Sequence, residues 1–124
     1  MASVYSIAYL TVPDRKTADA LAEGIVKRRL AACVNIVPGV SSVFWWDDKL
    51  DRSEELLLVA KTRTALVADL TEYVRRNHPY SLPEVITVDI QEGNQSYLDW
   101  VGANTVFGKP GSREDLDLGE LKEP

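Results

Sequence analysis

Two segments with helical periodicity interrupt four strand-like segments, and this order limits the folds that the chain can adopt. Apolar residues in both segments recur at spacings of three and four, which places them on one face of an amphipathic helix. Asp14 precedes the first segment as a predicted N-cap, and Arg28 and Arg29 are predicted in its last turn, where cations suit the helix dipole. The two stripes are Ala18, Leu21, Ala22, Ile25 and Val26, then Leu66, Val67, Leu70, Tyr73 and Val74.

Runs of β-branched and aromatic residues predict the strands around these helices. They cover residues 4–12, 32–46, 55–62 and 84–90, with a kink at Pro38-Gly39 and a turn over residues 47–51. A short last helix carrying Tyr97 and Trp100 follows Gly93-Asn94. The order β-α-β-β-α-β with a short C-terminal helix predicts an α+β, ferredoxin-like sandwich, in which two helices cover one face of an antiparallel sheet.

Length and charge predict one domain, residues 1–108, followed by an acidic tail, residues 109–124, that we expect to be mobile. The net charge is −5, and residues 112–124 hold five acidic against two basic residues. Because no basic stripe is present, we expect no nucleic-acid partner. No apolar run approaches the roughly 20 residues of a membrane helix. A single cysteine and the absence of a visible targeting segment predict a cytoplasmic protein.

The chain has one histidine, His78, and one cysteine, Cys33. Any soft-metal site or near-neutral proton carrier must therefore use these residues or copies from another chain. His78 begins a stiff polar connector, His78-Pro79-Tyr80, between a helix and a strand, and its simpler role is to terminate that helix. Cys33 lies in an apolar strand, where a packed core thiol is the alternative to a metal ligand.

Other residues could build a site between subunits. Trp45 and Trp46 alternate faces on a strand, so both indoles cannot enter one core, and an intersubunit role is expected for at least one. Lys61 and Glu84 stand at the rims of apolar strands, where a plain ion pair is the simpler interpretation. An acidic group, which lacks calcium-loop spacing, is better read as turn solvation; it comprises Asp47, Asp48, Asp51, Glu54 and Glu55.

Several motifs in one order resemble the CutA divalent-cation tolerance family over about residues 4–103. The segments that carry the resemblance are RLAACVNIVPG from Arg29, VFWWD from Val43, VAKT from Val59, HPYSLPEVI from His78 and GNQSYLDWV from Gly93. The resemblance implies a trimer of ferredoxin-like subunits, similar in architecture to the PII signalling proteins. It also implies association with copper and other divalent cations, and in mammals a link to acetylcholinesterase anchoring.

In some bacterial members of that family, copper ligands have been assigned to a cysteine late in the first strand and to two adjacent histidines. Leu10 and Asn77 occupy two of those positions here, and only His78 matches a ligand. Cys33 matches a family cysteine. We therefore predict a weakly bound Cu(II) or other divalent cation at His78, helped by Cys33 and Glu84. We also predict an intersubunit cleft formed by Lys61, Tyr97, Trp100, Trp45 and Trp46.

We predict a homotrimer with a regulatory role that binds divalent metal ions, particularly copper, and contributes to tolerance of them. A protein partner is left open. Phosphate-loop, nucleophile-elbow, zinc-helix and C-x-x-C motifs are absent from the sequence, so no enzyme is predicted. Two alternatives stay open. One is an enzyme with an intersubunit cleft, in which His78 and Glu84 act as acid and base. The other is a structural module that docks a partner.

Overall fold

A computed structural model describes residues 4–106. In these residues the chain forms β1 (Tyr5–Val12), α1 (Arg15–Lys27), β2 (Cys33–Trp46), β3 (Lys49–Arg63), α2 (Val67–Asn77), β4 (Ile86–Asp89) and α3 (Gln95–Ala103). The strands form one antiparallel sheet in the order β2-β3-β1-β4. This topology confirms the predicted α+β, ferredoxin-like fold. The predicted domain boundary at residue 108 and the predicted mobile tail lie outside the described residues.

The inner face of the sheet, which α1 and α2 cover, contains the core. Side chains of β1 alternate between buried and half-buried positions, as expected for a strand with one covered face. The predicted α1 stripe is buried except for Val26, which is 39% exposed. Asp14 caps α1 by accepting a hydrogen bond from the Thr17 backbone N–H at 2.8 Å. The helix ends at Lys27, before Arg28 and Arg29, because Arg29 adopts φ 58° and leaves the helical path.

The β2–β3 ribbon is longer than predicted. Its strands pair as far as Trp46 with Lys49, and only Asp47 and Asp48 form the turn. Both turn residues have positive φ, 53° and 62°, the backbone of a tight two-residue hairpin. The broader predicted turn over residues 47–51 is therefore wrong, because two residues in the left-handed region suffice to reverse the chain.

A β-bulge at the base of the ribbon changes which side chains share a face. Val37 pairs with Leu57, but Val40 pairs with Glu55, so β2 carries one extra residue there. Gly39 supplies the left-handed backbone of the bulge, at φ 79°. We call the side of the sheet away from α1 and α2 the outer face. Strand alternation places Cys33, Asn35, Val37, Ser42, Phe44 and Trp46 of β2 on the outer face.

The fourth strand is shorter than predicted. β4 pairs with β1 only from Ile86, opposite Tyr9, to Asp89, opposite Ser6, so Glu84 and Ile90 lie outside the strand. Glu84 therefore belongs to the connector between α2 and β4. Within residues 4–106 no helix is long and apolar enough to cross a membrane.

Candidate functional site

The predicted site residues fall into two groups. The first group, the ribbon cleft, lies between the β2–β3 ribbon and the connector that follows α2. The second group, the Cys33 cluster, lies at the other end of the sheet beside α3. The structure of one chain therefore divides residues that the sequence analysis placed in a single cleft.

His78 is buried and fully engaged within the chain, with only 8% of its surface exposed. Its Nε2 lies 2.8 Å from the Thr11 carbonyl oxygen, and its Nδ1 accepts a hydrogen bond from the Tyr80 N–H at 3.0 Å. A carbonyl can only accept, so Nε2 carries the proton and the ring is the neutral tautomer. Neither nitrogen is free for a metal or a substrate proton in this conformation. His78 as a metal ligand stays a prediction, and it requires loss of one of these bonds.

The role that the structure gives His78 is to position Tyr80. The two rings pack with their centroids 4.7 Å apart, and the histidine fixes the Tyr80 backbone. The Tyr80 hydroxyl then donates to Glu55 Oε2 at 2.8 Å. Burial of the ring, followed by the hydrogen bond to the Glu55 carboxylate, raises the pKa of Tyr80 above its usual 10.0. Tyr80 therefore remains a protonated donor through neutral and mildly alkaline pH.

Glu55 joins this connector to the ribbon. Its Oε1 accepts a hydrogen bond from Ser42 Oγ at 2.6 Å, while Oε2 accepts from Tyr80. Although it was interpreted as part of a solvated acidic turn, Glu55 is only 8% exposed. The turn-solvation interpretation is wrong for this residue, because Glu55 lies seven residues after Asp48, the last residue of the hairpin turn, in the paired part of β3.

The ribbon cleft opens above this hydrogen-bonded floor and has a volume of about 740 Å³. Three predicted residues line it, namely Trp45, Trp46 and Glu84. Trp45 is 73% exposed and Trp46 is 51% exposed, so both indoles are available to another surface. This agrees with the expectation that the tryptophans do not both enter the core of one subunit.

The Cys33 cluster contains the remaining predicted residues. Cys33 lies on the outer face opposite Lys61 and is half-buried, so the prediction of a packed core thiol is wrong. Burial of the Tyr97 hydroxyl, and then its contact with the Cys33 thiol, raises the pKa of Tyr97. Tyr97 stacks on Trp100 with ring centroids 5.5 Å apart. The Lys61 ammonium donates to the side-chain oxygen of Asn35.

Lys61 and Glu84 do not form the ion pair that the sequence suggested. Lys61 lies opposite Ile7 of β1, whereas Glu84 precedes Ile86, which lies opposite Tyr9. Cys33 and His78 are also far apart. Cys33 lies at the level of Lys61 and Ile7, whereas His78 bonds to Thr11, four residues farther along β1. At about 3.3 Å per residue this separates the two levels of the sheet by about 13 Å. One chain therefore does not bring Cys33 and His78 to one ion.

The hydrogen bonds that join Glu55, Ser42 and Tyr80, and the one between Asn35 and Lys61, could not be predicted from the sequence pattern. A sequence signal for Glu55 did exist, since it immediately precedes the apolar run Leu56-Leu57-Leu58. A carboxylate at that position enters a half-buried strand rather than a loop. Ser42 gave no such signal, because the bulge at Gly39 decides which face it occupies.

Comparison with known sequences gives consistent matches. Residues 6–104 match the family described as CutA1 divalent ion tolerance protein. The divalent-cation tolerance protein CutA of Thermus thermophilus is 44% identical over 99 residues, which cover 80% of this chain and 96% of that protein. The chloroplastic protein CutA 1 of Oryza sativa is 48% identical over 80% of this chain. The CutA homolog of Xenopus laevis is 50% identical over 78% of this chain. The chain spans only 56% of the rice protein and 64% of the frog protein.

Solved structures give the same result. The CutA1 crystal structure from Oryza sativa superposes with a TM-score of 0.82 at 45% identity, covering 85% of this chain and 96% of that one. The Cut A1 protein from Thermus thermophilus superposes with a TM-score of 0.81 at 43% identity, covering 82% of this chain and 99% of that one.

Proposed function

The chain belongs to the CutA1 divalent ion tolerance family, and we propose that it acts in tolerance of divalent metal ions as a homotrimer with a regulatory role. The names of its relatives support the connection with divalent cations. We retain the cytoplasm as the proposed compartment, although relatives from rice and Arabidopsis thaliana are named chloroplastic.

The observation that carries the assembly is the uncovered outer face of the sheet. Ile86 is 57% exposed and Val88 is 49% exposed, and they neighbour half-buried Ile7, Tyr9 and Val59 on that face. An apolar sheet face of this kind is stabilised when another surface covers it. In a closed ring, each subunit contacts its neighbours through the same surfaces. A trimer would therefore cover the outer face of the sheet in all three subunits.

The ribbon supports the same proposal. Its β2 strand runs for 14 residues, about 46 Å at 3.3 Å per residue, whereas a compact domain of this length is roughly 35 Å across. The ribbon carries Val43, Trp45 and Leu50 at more than half exposure. A two-stranded ribbon with such side chains is marginal in water by itself. Contact with a neighbouring copy would stabilise it.

Metal binding then depends on the assembly. Within residues 4–106 of one chain, no three His, Cys, Asp or Glu side chains are placed to hold a metal ion. The residues of one subunit therefore do not fit a resident metal, and we propose that the cation is weakly bound and shared between subunits. Cys33 is the first candidate ligand because it is only half-buried and lies on the outer face. His78 and Glu84 are secondary candidates, since His78 must first release the Tyr80 N–H.

Light scattering at micromolar concentration tests the assembly. We expect a particle of three 13.8 kDa chains. A monodisperse monomer would overturn the trimer and the shared cation site together.

Calorimetric titration with Zn(II), which takes thiolate and imidazole ligands and has no redox chemistry, tests the ligands. We expect weak binding that Cys33→Ser reduces at least tenfold. Glu72→Gln is the control, because within residues 4–106 the Glu72 carboxylate pairs with Arg75 and Arg76 on the surface of α2, away from the candidate ligands. Binding that is unchanged by Cys33→Ser and abolished by His78→Gln would assign the site to His78 instead. Absence of saturable binding to a proven trimer would overturn metal binding.

A further inference from the structure

The ribbon bends at the β-bulge, close to the body of the subunit. The pairing of β2 with β3 is regular as far as Val37 and again from Val40 to Trp46, with a register shift between the two stretches. Gly39 supplies the left-handed backbone of this bulge, and a bulge bends the strand that contains it. We call residues 40–55, beyond the bulge, the ribbon arm. Its β2 strand has seven residues, about 23 Å at 3.3 Å per residue, so the direction of the arm is set at its base.

The Glu55 carboxylate holds the base of the ribbon arm. Glu55 pairs with Val40, the first pair beyond the bulge. One carboxylate oxygen accepts from the Ser42 hydroxyl within the arm, and the other accepts from the Tyr80 hydroxyl of the connector. The first bond joins the two strands of the arm, and the second joins the arm to the body of the subunit. Because Glu55 is buried, loss of the second bond would leave a desolvated carboxylate oxygen with fewer donors, which is costly.

His78 fixes this connector by completing the edge of the sheet. The Tyr5 carbonyl of β1 accepts from the Ile90 N–H, so alternation along the regular strand directs the Thr11 carbonyl to the same side, that of β4. Pairing with β4 reaches only Tyr9, so among the described residues that strand has no partner for Thr11. The imidazole N–H of His78 donates to this carbonyl at 2.8 Å, in place of a strand N–H. The histidine therefore covers a backbone acceptor that the short fourth strand leaves at the edge.

The contacts of His78, Tyr80 and Glu55 form one path from β1 to the ribbon arm, and we call these three residues the ribbon latch. The second ring nitrogen of His78 accepts from the Tyr80 N–H at 3.0 Å, and the two rings pack together. The backbone and the ring of Tyr80 are thus held while its hydroxyl bonds to Glu55 at 2.8 Å. Each contact in the path orients the donor of the next, so the three residues act as one unit. Because His78 is buried, its influence on the arm passes through this path.

We propose that the ribbon latch sets the angle of the ribbon arm, and that assembly with a neighbouring copy of this chain depends on it. This inference rests on the proposed trimer, in which the ribbon contacts a neighbouring copy. An arm of about 23 Å that rotates by roughly 10° at its base moves its tip by about 4 Å, comparable to the contact distance between apolar side chains. A small rotation is therefore enough to separate the tip from the neighbouring copy. His78 is then a positioning residue for assembly, although it is buried within its own chain.

The ribbon arm contains a matched control for the latch. Glu54 accepts a hydrogen bond from Ser41 at 2.8 Å, just as Glu55 accepts one from Ser42 at 2.6 Å. Glu54 is exposed, and alternation places it on the opposite face of the ribbon from Glu55. Glu54→Gln therefore removes a carboxylate charge from the same arm and leaves the ribbon latch intact.

Analytical ultracentrifugation of the full chain over a dilution series measures the subunit dissociation constant of each variant. Tyr80→Phe removes only the hydroxyl that bonds to Glu55, and His78→Ala removes both ring nitrogens. We expect each variant to raise the dissociation constant about tenfold, and Glu54→Gln to leave it unchanged. Combined in one chain, Tyr80→Phe and His78→Ala should again raise it about tenfold rather than about a hundredfold, because both open the same path. His78→Gln, which keeps a donor for the Thr11 carbonyl, should restore part of the assembly.

A second measurement separates the latch from the trimer itself. Amide hydrogen exchange of the ribbon arm reports whether the arm is held to the body, and the amides of α1 report whether the fold is retained. If the native chain proves to be a monomer, the proposed trimer fails, and the dependence of assembly on the latch fails with it. Faster exchange of the arm in Tyr80→Phe would then retain the latch as a device that holds the arm, and unchanged exchange would overturn it.

Three results with a native trimer would overturn the proposal and leave the trimer intact. The first is a Tyr80→Phe variant, or a folded His78→Ala variant, that assembles as the native chain does. The second is a double variant whose effect equals the product of the two single effects, which would show that His78 acts by another route. The third is an effect of Glu54→Gln as large as that of Tyr80→Phe, which would assign the loss to the charge of the ribbon. If His78→Ala does not fold, Tyr80→Phe decides alone.

Discussion

The two faces of the sheet are built from alternate residues of the same strands, yet their environments differ. On the inner face, Leu10, Leu58 and Ala60 are 0% exposed under α1 and α2. On the outer face, Ile86 and Val88 remain about half exposed although their side chains are equally apolar. The inner face is therefore closed where α1 and α2 cover it, whereas the apolar outer face is left partly exposed in one chain. Both the ribbon cleft and the Cys33 cluster lie on this partly exposed side.

The largest effect is expected on the inner face. Leu58→Ala removes a fully buried side chain from the centre of β3. We expect a loss of about 2–5 kcal/mol in the free energy of unfolding, because a cavity remains where the side chain was. Urea unfolding at several protein concentrations measures it. A loss below about 1 kcal/mol would mean that the inner face is not the closed core described above.

The adjacent leucine gives the matched comparison on the outer face. Leu57 is half-buried and points away from the helices. We expect Leu57→Ala to raise the subunit dissociation constant about tenfold, a typical effect of a contributing interface side chain. Analytical ultracentrifugation over a dilution series measures it. If Leu57→Ala instead lowered stability independently of concentration and left assembly intact, the outer face would not be an interface.

The bulge that orients the ribbon offers a smaller test. Gly39 has φ 79°, and a Cβ added there meets nothing within 4 Å. Gly39→Ala therefore adds backbone strain without a steric clash, and we expect it to cost about 1–2 kcal/mol. Pro38 is unchanged in this variant, so the comparison isolates the left-handed residue. An unchanged unfolding curve would show that the ribbon relaxes to another backbone conformation, and with it the assignment of Ser42 and Phe44 to the outer face would fail.

The smallest effect is a pH dependence at the ribbon cleft. Because folding raises the pKa of Tyr80, the stabilisation that it provides is present below pH 10.0 and is lost as the pH rises through the raised value. Phenylalanine cannot titrate, so we expect the stability difference between the native protein and Tyr80→Phe to shrink above about pH 10. Urea unfolding from pH 8 to pH 11 measures this difference. Parallel stability profiles for the two proteins would contradict the buried hydrogen bond to Glu55.

Much of the fold could be predicted because periodicity reports which side of an element is covered. The helix stripes, the N-cap at Asp14 and the order of the elements along the chain agree with the structure, apart from exposed Val26, half-buried Val67 and a few element ends. The candidate site was harder to predict. A packed core thiol was the simpler expectation for Cys33, which is half-buried on the outer face, and Glu55 was expected in solvent but is buried. Alternation assigns a residue to one of two faces, but it does not say which face the helices cover.

The sequence by itself determined the α+β class, the order of elements, the covered stripes of α1 and α2 and the family to which the chain belongs, because these depend on local periodicity and on ordered motifs. Only the tertiary structure decided that both ring nitrogens of His78 form hydrogen bonds, to Thr11 and to Tyr80, and that Glu55 lines a cleft. These facts depend on one inserted residue at Gly39 and on contacts between segments distant in the chain. A hydrogen bond spanning 67 positions, such as that of His78 to Thr11, leaves no periodic trace in either segment.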